Sequence, residues 1–589
     1  MPSAIHYCVH AHDVHGHLFG VTLCIAKPAA IQRVSLPAWI VGSYMVREFS
    51  KQLIGLRASQ GKKNIEVTQI NKNTWQIVCD TAQTLNLQYQ VHAHDNSVRT
   101  AWLDAHRGFF NATSLCLQVD GQHDATHVLE IQPPPQHAQD WKVATGLVPV
   151  KVDRKGFGTY SAPNYDILAD TPVEMGAFWS GHFIAMGVEH EFVVAGAPPT
   201  LDGARLLKDT QAICETICSF WHGNKRSQIP FERYVFMLNA VGDGYGGLEH
   251  HNSTALICQR SDLPRLSSET VTKPSDGYTT LLGLISHEYF HTWNVKRLRP
   301  AEFTRYDYAK ENYTELLWFF EGFTSYFDDK LLRRSGLIDD AQYLRLLNKT
   351  INQVLQTPGR KVHTVAQSSF EAWTKYYLQD ANSPNLTVSY YTKGALVALC
   401  LDLSLRQYGV RNHSMTLDDV MRALWKRCKA GPMQEADLLE VLKDLTGSSW
   451  RSELNAWVHS TRELPLEKLL AAHGVTIHHD PAQLAQALGL RVVEERGVLI
   501  KQVLNDSPAH SAGFAPADEW LGLEVNNSVW RLQKLDDVLL YAGWGKKVTA
   551  LISRDRQILR ISLALPKAKE HSTWRLAIGE ANKVKAWLT

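Results

Sequence analysis

At 589 residues the chain is too long for one hydrophobic core and has room for about three or four domains. Its hydrophobic fraction of 44% and charged fraction of 20% are those of a globular protein. A formal net charge of +2 gives no reason to expect nucleic acid or an anionic membrane as the main partner.

No run of 18 apolar residues occurs, and the opening "MPSAIHYCVHAHDVHGH" has neither the basic start nor the apolar core of a signal peptide, so a cytoplasmic protein is expected. The nine cysteines are odd in number and scattered, mostly in apolar stretches, which predicts reduced, buried thiols. Cys214 and Cys218 stand one helical turn apart, but no second pair follows at ligand spacing, so they are expected as core thiols and not as a metal pair.

The first ~170 residues read as short, often alternating strands broken by turns: "HLFGVTLCIA", "TWQIVCD", "LNLQYQVHA", "SLCLQV" and "HVLEIQP". They predict an N-terminal antiparallel β domain over 1–180. From about Gly181, "HEFVVAGA" and "RYVFMLNAV" read as strands, with the helical "ARLLKDTQAICETICSFWHG" between them. Long helical patterns follow: Tyr278 to Asn294, Tyr313 to Arg334, Asp340 to Gln356, Thr392 to Tyr408 and Leu417 to Lys429. Strands followed by helices predict an α+β unit over 181–470. Beyond Gly474 short strands return ("GLRVV", "GVLIKQVL", "WLGLEVN", "KVTALISR", "ILRISLAL"), interrupted by the helical "LQKLDDVLLYA". These predict a small β domain over 475–570 and a tail over 571–589, with "LEKLLAAHGV" as a bridging helix.

The helix Tyr278 to Asn294 carries "SHEYFHTWNVKR". His287 and His291 are four apart and share one helical face. Glu288 lies about 100° round the helix, where it can reach a metal-activated water without coordinating the metal. The flanking Leu281, Leu282, Leu284, Ile285, Tyr289 and Phe290 bury most of the helix, so polar groups there need a partner. H-E-x-x-H with Glu as general base is a zinc peptidase arrangement. A catalytic zinc site needs a third protein ligand and an open position. Glu321, set among Phe319, Phe320 and Phe323 in "LLWFFEGFTSYFDD", is the candidate; Glu311 and Glu315 compete from more polar surroundings.

"HEYFH" followed by "LWFFEGFTSYF" resembles the gluzincin metallopeptidases, which include thermolysin and the aminopeptidase N family. In the latter the third ligand sits in an "LW-x-x-EGFA" setting, which implies Glu321. Here 29 residues lie between His291 and Glu321, longer than the aminopeptidase N interval. That longer segment, "EGFTSY", "LPAWIVGSYMVREFSKQL" and "DTPVEMG" resemble instead the glycyl aminopeptidase family, whose members also carry a PDZ domain. The resemblance implies a thermolysin-like α+β catalytic domain, one Zn2+ per chain, and peptide substrates with free N-termini and small first residues (Gly or Ala). It implies Glu288 as general base. "GYGGLEHHNST" resembles the G-x-M-E-N element, with Leu248 for Met and His250 for Asn. That element is an edge strand whose glycines, here Gly246 and Gly247, let an extended peptide approach, and whose acid, here Glu249, binds the substrate amine. Glu174 in "PVEMG" is the candidate for a second carboxylate on that amine. "SYYTKGAL" resembles Y-x-K-G, which implies Tyr391 as donor to the oxyanion, with Tyr390 its neighbour.

The stretch from Ala487 resembles a bacterial-type PDZ domain, with "ALGL" at Ala487 to Leu490 where a carboxylate-binding loop belongs and a C-terminal peptide as the implied ligand. An endopeptidase recruiting substrates through that domain, and an inactive peptide-binding scaffold, are the competing readings. Asp328 and Asp329 are candidates for orienting the histidines.

Overall fold

The structure is a computed structural model that describes residues 5–134, 140–266, 273–408 and 415–589. It divides into two compact units. The first runs to Asn312 and takes in Arg334–Ile338 and Trp425–Met433; the second holds the remainder.

In the first unit, Ile5–Asp13 and Leu18–Ile25 form a hairpin in an eight-stranded sheet. Its alternation is clean: Ile5, Tyr7 and Val9 are buried while His6 is exposed. The sheet is not wholly antiparallel as expected. Ile5–Asp13 also pairs in parallel with His127–Ile131, a partner that only a long crossover can deliver. The expected strand "SLCLQV" is also corrected. Ala112–Leu115 is a helical turn, and only Gln118–Val119 pairs as strand. The carbonyls of Leu115, Cys116 and Leu117 accept instead from the hydroxyls of Tyr89 (2.6 Å), Tyr165 (2.7 Å) and Tyr7 (2.7 Å). Side chains thus satisfy backbone groups that a neighbouring strand would otherwise have to satisfy.

The same unit holds a mixed five-stranded sheet. Its order is Trp179–Ala185, Val188–Ala195, Arg233–Val241, Ser253–Gln259, Gly246–Glu249. Val188–Ala195, Arg233–Val241 and Ser253–Gln259 run parallel, and Arg233–Val241 is buried along nearly its whole length, as covered parallel strands are. Gly246–Glu249 lies antiparallel at the edge. Leu248, Ala255 and Ile257 from this edge share one apolar core with the N-terminal β-strands. Helix Gly203–His222, capped by the Asp202 side chain, packs against the sheet, as does helix Asp276–Phe290, capped by Ser275.

The second unit is helical and then β. Helix Leu317–Arg334 and helix Tyr390–Leu405 cross at two glycines. A Cβ on Gly322 would lie 2.5 Å from the Cα of Gly394, and a Cβ on Gly394 would lie 2.4 Å from the carbonyl of Trp318. A six-stranded sheet built from Leu490–Val493 through Gln557–Ala564 encloses its own core, including Trp520, Val498, Ile500 and Ile552. The helical "LQKLDDVLLYA" shrinks to Asp537–Tyr541. The expected tail over 571–589 is folded: Ser572–Ile578 pairs with Val475–Pro481, and helix Ala581–Leu588 buries Val584, Trp587 and Leu588. Nearby arginines accept this helix's end, Arg333 donating to the Leu588 carbonyl and Arg406 to that of Ala586. Among the described residues no helix is long and apolar enough to cross a membrane.

Candidate active site

Helix Asp276–Phe290 buries Leu281, Leu282, Ile285, Tyr289 and Phe290. The Tyr289 hydroxyl and the buried His190 Nε2 lie 2.9 Å apart, which ties the helix to the five-stranded sheet. His291 caps the helix end, its N–H donating to the His287 carbonyl at 3.2 Å. The two imidazoles face one another with Nε2 atoms 3.0 Å apart and rings 85° from coplanar. Two nitrogens on one tetrahedral ion are separated by roughly that distance, since each bond is about 2.0 Å.

A tight loop follows. Lys296 N–H donates to the His291 carbonyl and Leu298 N–H to that of Trp293. The loop forces Val295 to φ 129°, a strained value for a β-branched residue. It also delivers the Asn294 carbonyl to His291 Nδ1 at 2.7 Å. A carbonyl only accepts, so Nδ1 carries the proton and Nε2 presents its lone pair. This carbonyl orients His291. No spacing rule in the sequence points to it.

Glu321 is 2% exposed, whereas Glu315 is exposed and Glu311 half-buried. His287, His291 and Glu321 each offer a ligand atom, all within 4.8 Å of one another. It is the one such group of three or more among the described residues, and Cys214 and Cys218 are not part of any. Two imidazole nitrogens, one with its tautomer fixed for coordination, and one buried carboxylate are the three-ligand donor set of a catalytic zinc site, so the residues present fit the ion.

Glu288 is 5% exposed and packs on the edge strand: a Cβ on Gly247 would lie 2.1 Å from its Oε1. Arg99 donates to the Gly247 carbonyl at 3.0 Å, and Gly246 takes φ 152°. At the end of this strand Glu249 is 4% exposed and lies against Gly42 of "IVGSYM", where a Cβ would come within 2.5 Å of its Oε1. The same Oε1 has no hydrogen-bond partner among the described residues.

A buried charge cluster that the sequence reading missed stands beside Glu249. Lys296 is 4% exposed and forms an ion pair with Asp170 at 2.5 Å; the Glu249 carboxylate acts on the same ammonium. Asp170 also accepts from the His251 N–H at 2.9 Å and faces His250 Nδ1 at 3.4 Å. Despite burial, this company of Lys296 and His251 holds the Asp170 carboxyl well below the usual range. "DTPVEMG" and "NVKR" contain these residues, but their charges find each other only through the fold.

Glu174, expected as a second carboxylate for the substrate amine, has a different partner. It is 1% exposed, and Arg107 grips both its oxygens at 2.8 and 2.7 Å across the strand pair Arg107–Phe110 and Val173–Gly176. Both oxygens are thus occupied by Arg107, although burial still pushes the carboxyl above its usual range.

Tyr390 and Tyr391 begin the helix that crosses Leu317–Arg334, with Ser389 as cap. Tyr390 is fully buried, whereas Tyr391 is half-buried and so can present its hydroxyl. Burial, and then the Glu321 carboxylate, push the Tyr391 hydroxyl well above the ordinary phenol range. The ring stacks on Tyr390 at 4.7 Å and lies 5.5 Å from Tyr376.

Comparison with known proteins agrees with this geometry. The model of the M61 glycyl aminopeptidase family matches residues 280–397, and that of the peptidase M61 N-terminal domain matches residues 6–177. A solved aminopeptidase N family protein from Idiomarina loihiensis is 38% identical, the alignment covering 99% of this chain and 100% of that one, with a TM-score of 0.93. An M1 zinc metallopeptidase from Deinococcus radiodurans is 16% identical over 78% of this chain and 94% of that one, with a TM-score of 0.46. No curated protein matches the sequence. The chain belongs to the M61 glycyl aminopeptidase family and is a peptidase of the aminopeptidase type.

Proposed function

We propose that this protein removes N-terminal residues from peptides, with a preference for Gly or Ala, using one zinc ion held by His287, His291 and Glu321. The observation that carries the reading is the convergence of these three ligand atoms within 4.8 Å. Zinc bound there supplies Lewis acidity and a water acidified to near neutrality.

The chain's own residues do the rest. Glu288 accepts the proton of the attacking water and returns it to the leaving amine, for which its place on Gly247, beside the strand that seats the peptide, is suitable. The edge strand at Gly246 and Gly247 aligns the peptide backbone. Glu249 takes the substrate ammonium; a buried carboxylate oxygen without a hydrogen-bond partner among the described residues supports that role. Lys296 and Asp170 brace it. The Tyr391 hydroxyl donates to the oxyanion as it forms.

In the second unit, residues 475–570 are read as a PDZ-like domain whose "ALGL" segment receives a peptide carboxylate. The place of Leu490–Val493 at the end of its sheet supports this, as strand addition needs an edge strand. A cytoplasmic setting suits the nine free thiols.

The deciding experiment compares Gly- and Ala-peptides bearing free and acetylated N-termini, with and without a zinc chelator. Cleavage confined to free amines and abolished by the chelator is expected. Equal cleavage of acetylated peptides would assign an endopeptidase instead.

A further inference from the structure

Helix Tyr390–Leu405 carries a second polar group whose environment the peptidase reaction does not explain. Lys393 is 3% exposed, yet among the described residues its ammonium makes no hydrogen bond and no ion pair within 4 Å. Its stem is enclosed while the ammonium is not shut off from solvent, and such partial desolvation disfavours the charged form. Burial accordingly pushes its pKa down to about 8, with the more distant Glu463 opposing that shift and Arg360 adding to it.

The side chain does not end in packed protein. It lines a cavity of about 540 Å3 within the second unit. Leu396 comes from its own helix, Val354 and Leu355 from the end of helix Asp340–Leu355, Leu466 from helix Leu466–Ala472, and Trp574 from strand Ser572–Ile578. Leu464 and Pro465 complete an apolar wall with an indole on one side, and Glu467 and Lys468 stand at its margin. A second cation, Arg360, stands at the cavity and is shared with the largely exposed Glu463 at 3.1 Å.

A buried cation facing an apolar chamber of this size defines a ligand: one anionic end and an apolar body. We propose that this cavity binds a small amphipathic carboxylate, its acid group on Lys393 and Arg360 and its alkyl or aryl body against Trp574, Leu396 and Leu466. The inference is independent of the peptidase reading. Tyr391 lies two residues away on the same helix, so an occupant would stiffen the turn that carries it.

The test is calorimetric titration of the full-length protein at pH 7 with octanoate and with 3-phenylpropanoate, as alkyl and aryl probes, and with 1-octanol and octylamine as uncharged and cationic counterparts. Saturable one-to-one binding of at least one carboxylate is expected, with the alcohol and the amine at least about tenfold weaker, the discrimination of a charge-assisted contact. Lys393→Met should weaken carboxylate binding at least about tenfold while leaving the alcohol unaffected. Leu466→Trp, which fills the cavity from another element, should abolish binding of every probe with Lys393 intact; it decides the matter if the lysine variant fails to unfold cooperatively. Absence of saturable binding by both carboxylates, equal binding of 1-octanol, or carboxylate binding that survives Leu466→Trp would overturn the proposal.

Discussion

Glu288 rests so closely on Gly247 that any side chain there would strike its carboxylate: a Cβ would stand 2.1 Å from Oε1. One residue of the edge strand thus sets the position of the proposed general base. Gly247→Ala should leave the fold and zinc content intact, since the obstacle is the end of a side chain. Displacing a reacting group by about 1 Å costs on the order of a hundredfold, so kcat/KM should fall by about that factor. Steady-state hydrolysis of a Gly-derived fluorogenic substrate measures it; an unchanged rate would remove Glu288 from the chemistry.

Removing the third ligand should empty the centre. Glu321→Gln is expected to carry little zinc after dialysis, where the parent protein retains about one ion per chain, as a three-ligand site should. Elemental analysis of both proteins checks this without reference to activity. Full zinc occupancy in the variant would mean that another residue completes the site.

Glu249 is expected to read the substrate's charge. Glu249→Gln keeps shape and hydrogen-bonding capacity but loses the ion pair, and losing a buried charged partner costs about 2–5 kcal/mol. The kcat/KM for free-amine peptides should drop by about a hundredfold, and the preference over acetylated peptides should shrink with it. If the preference persists, the amine is recognised elsewhere.

Tyr391 and Tyr390 are adjacent but differ in exposure. Tyr391→Phe should lower kcat by about a hundred- to a thousandfold with KM little changed, the signature of a donor acting on the transition state. Tyr390→Phe should leave kcat nearly unaltered. The reverse pattern would exchange their roles.

In the second unit Lys330 and Asp402 form a fully buried pair at 2.6 Å, with the Tyr326 hydroxyl donating to the same carboxylate oxygen at 2.6 Å. Lys330 and Arg406 hold the Asp402 carboxyl well below the usual carboxylate range despite burial. A depressed carboxyl pKa stabilises the fold above the unfolded value of about 4, and that stabilisation is lost as pH falls from there towards the folded value. Denaturant unfolding should therefore show this contribution steady from pH 7 to about 5 and declining below about 4. Lys330→Met should cost about 3–5 kcal/mol and flatten the acid dependence; Lys330→Met with Asp402→Leu should cost less, because no charge is left stranded.

The sequence by itself determined whatever depends on neighbours along the chain. The turn of a helix sets His287 and His291 on one face, and an apolar surround makes Glu321 anomalous, so the three candidate ligands were legible before any fold was known. The glycines of "GYGG" were legible for the same reason. Tertiary structure alone decided which charges meet. It gave Glu174 to Arg107, paired Lys296 with Asp170, and brought the Asn294 carbonyl to His291. It also turned the last residues into a strand and a helix, because Ser572–Ile578 found an edge at Val475–Pro481 nearly a hundred residues earlier. Helical periodicity is a property of covalent geometry; the pairing of buried charges and strand edges is a property of where the chain returns to itself.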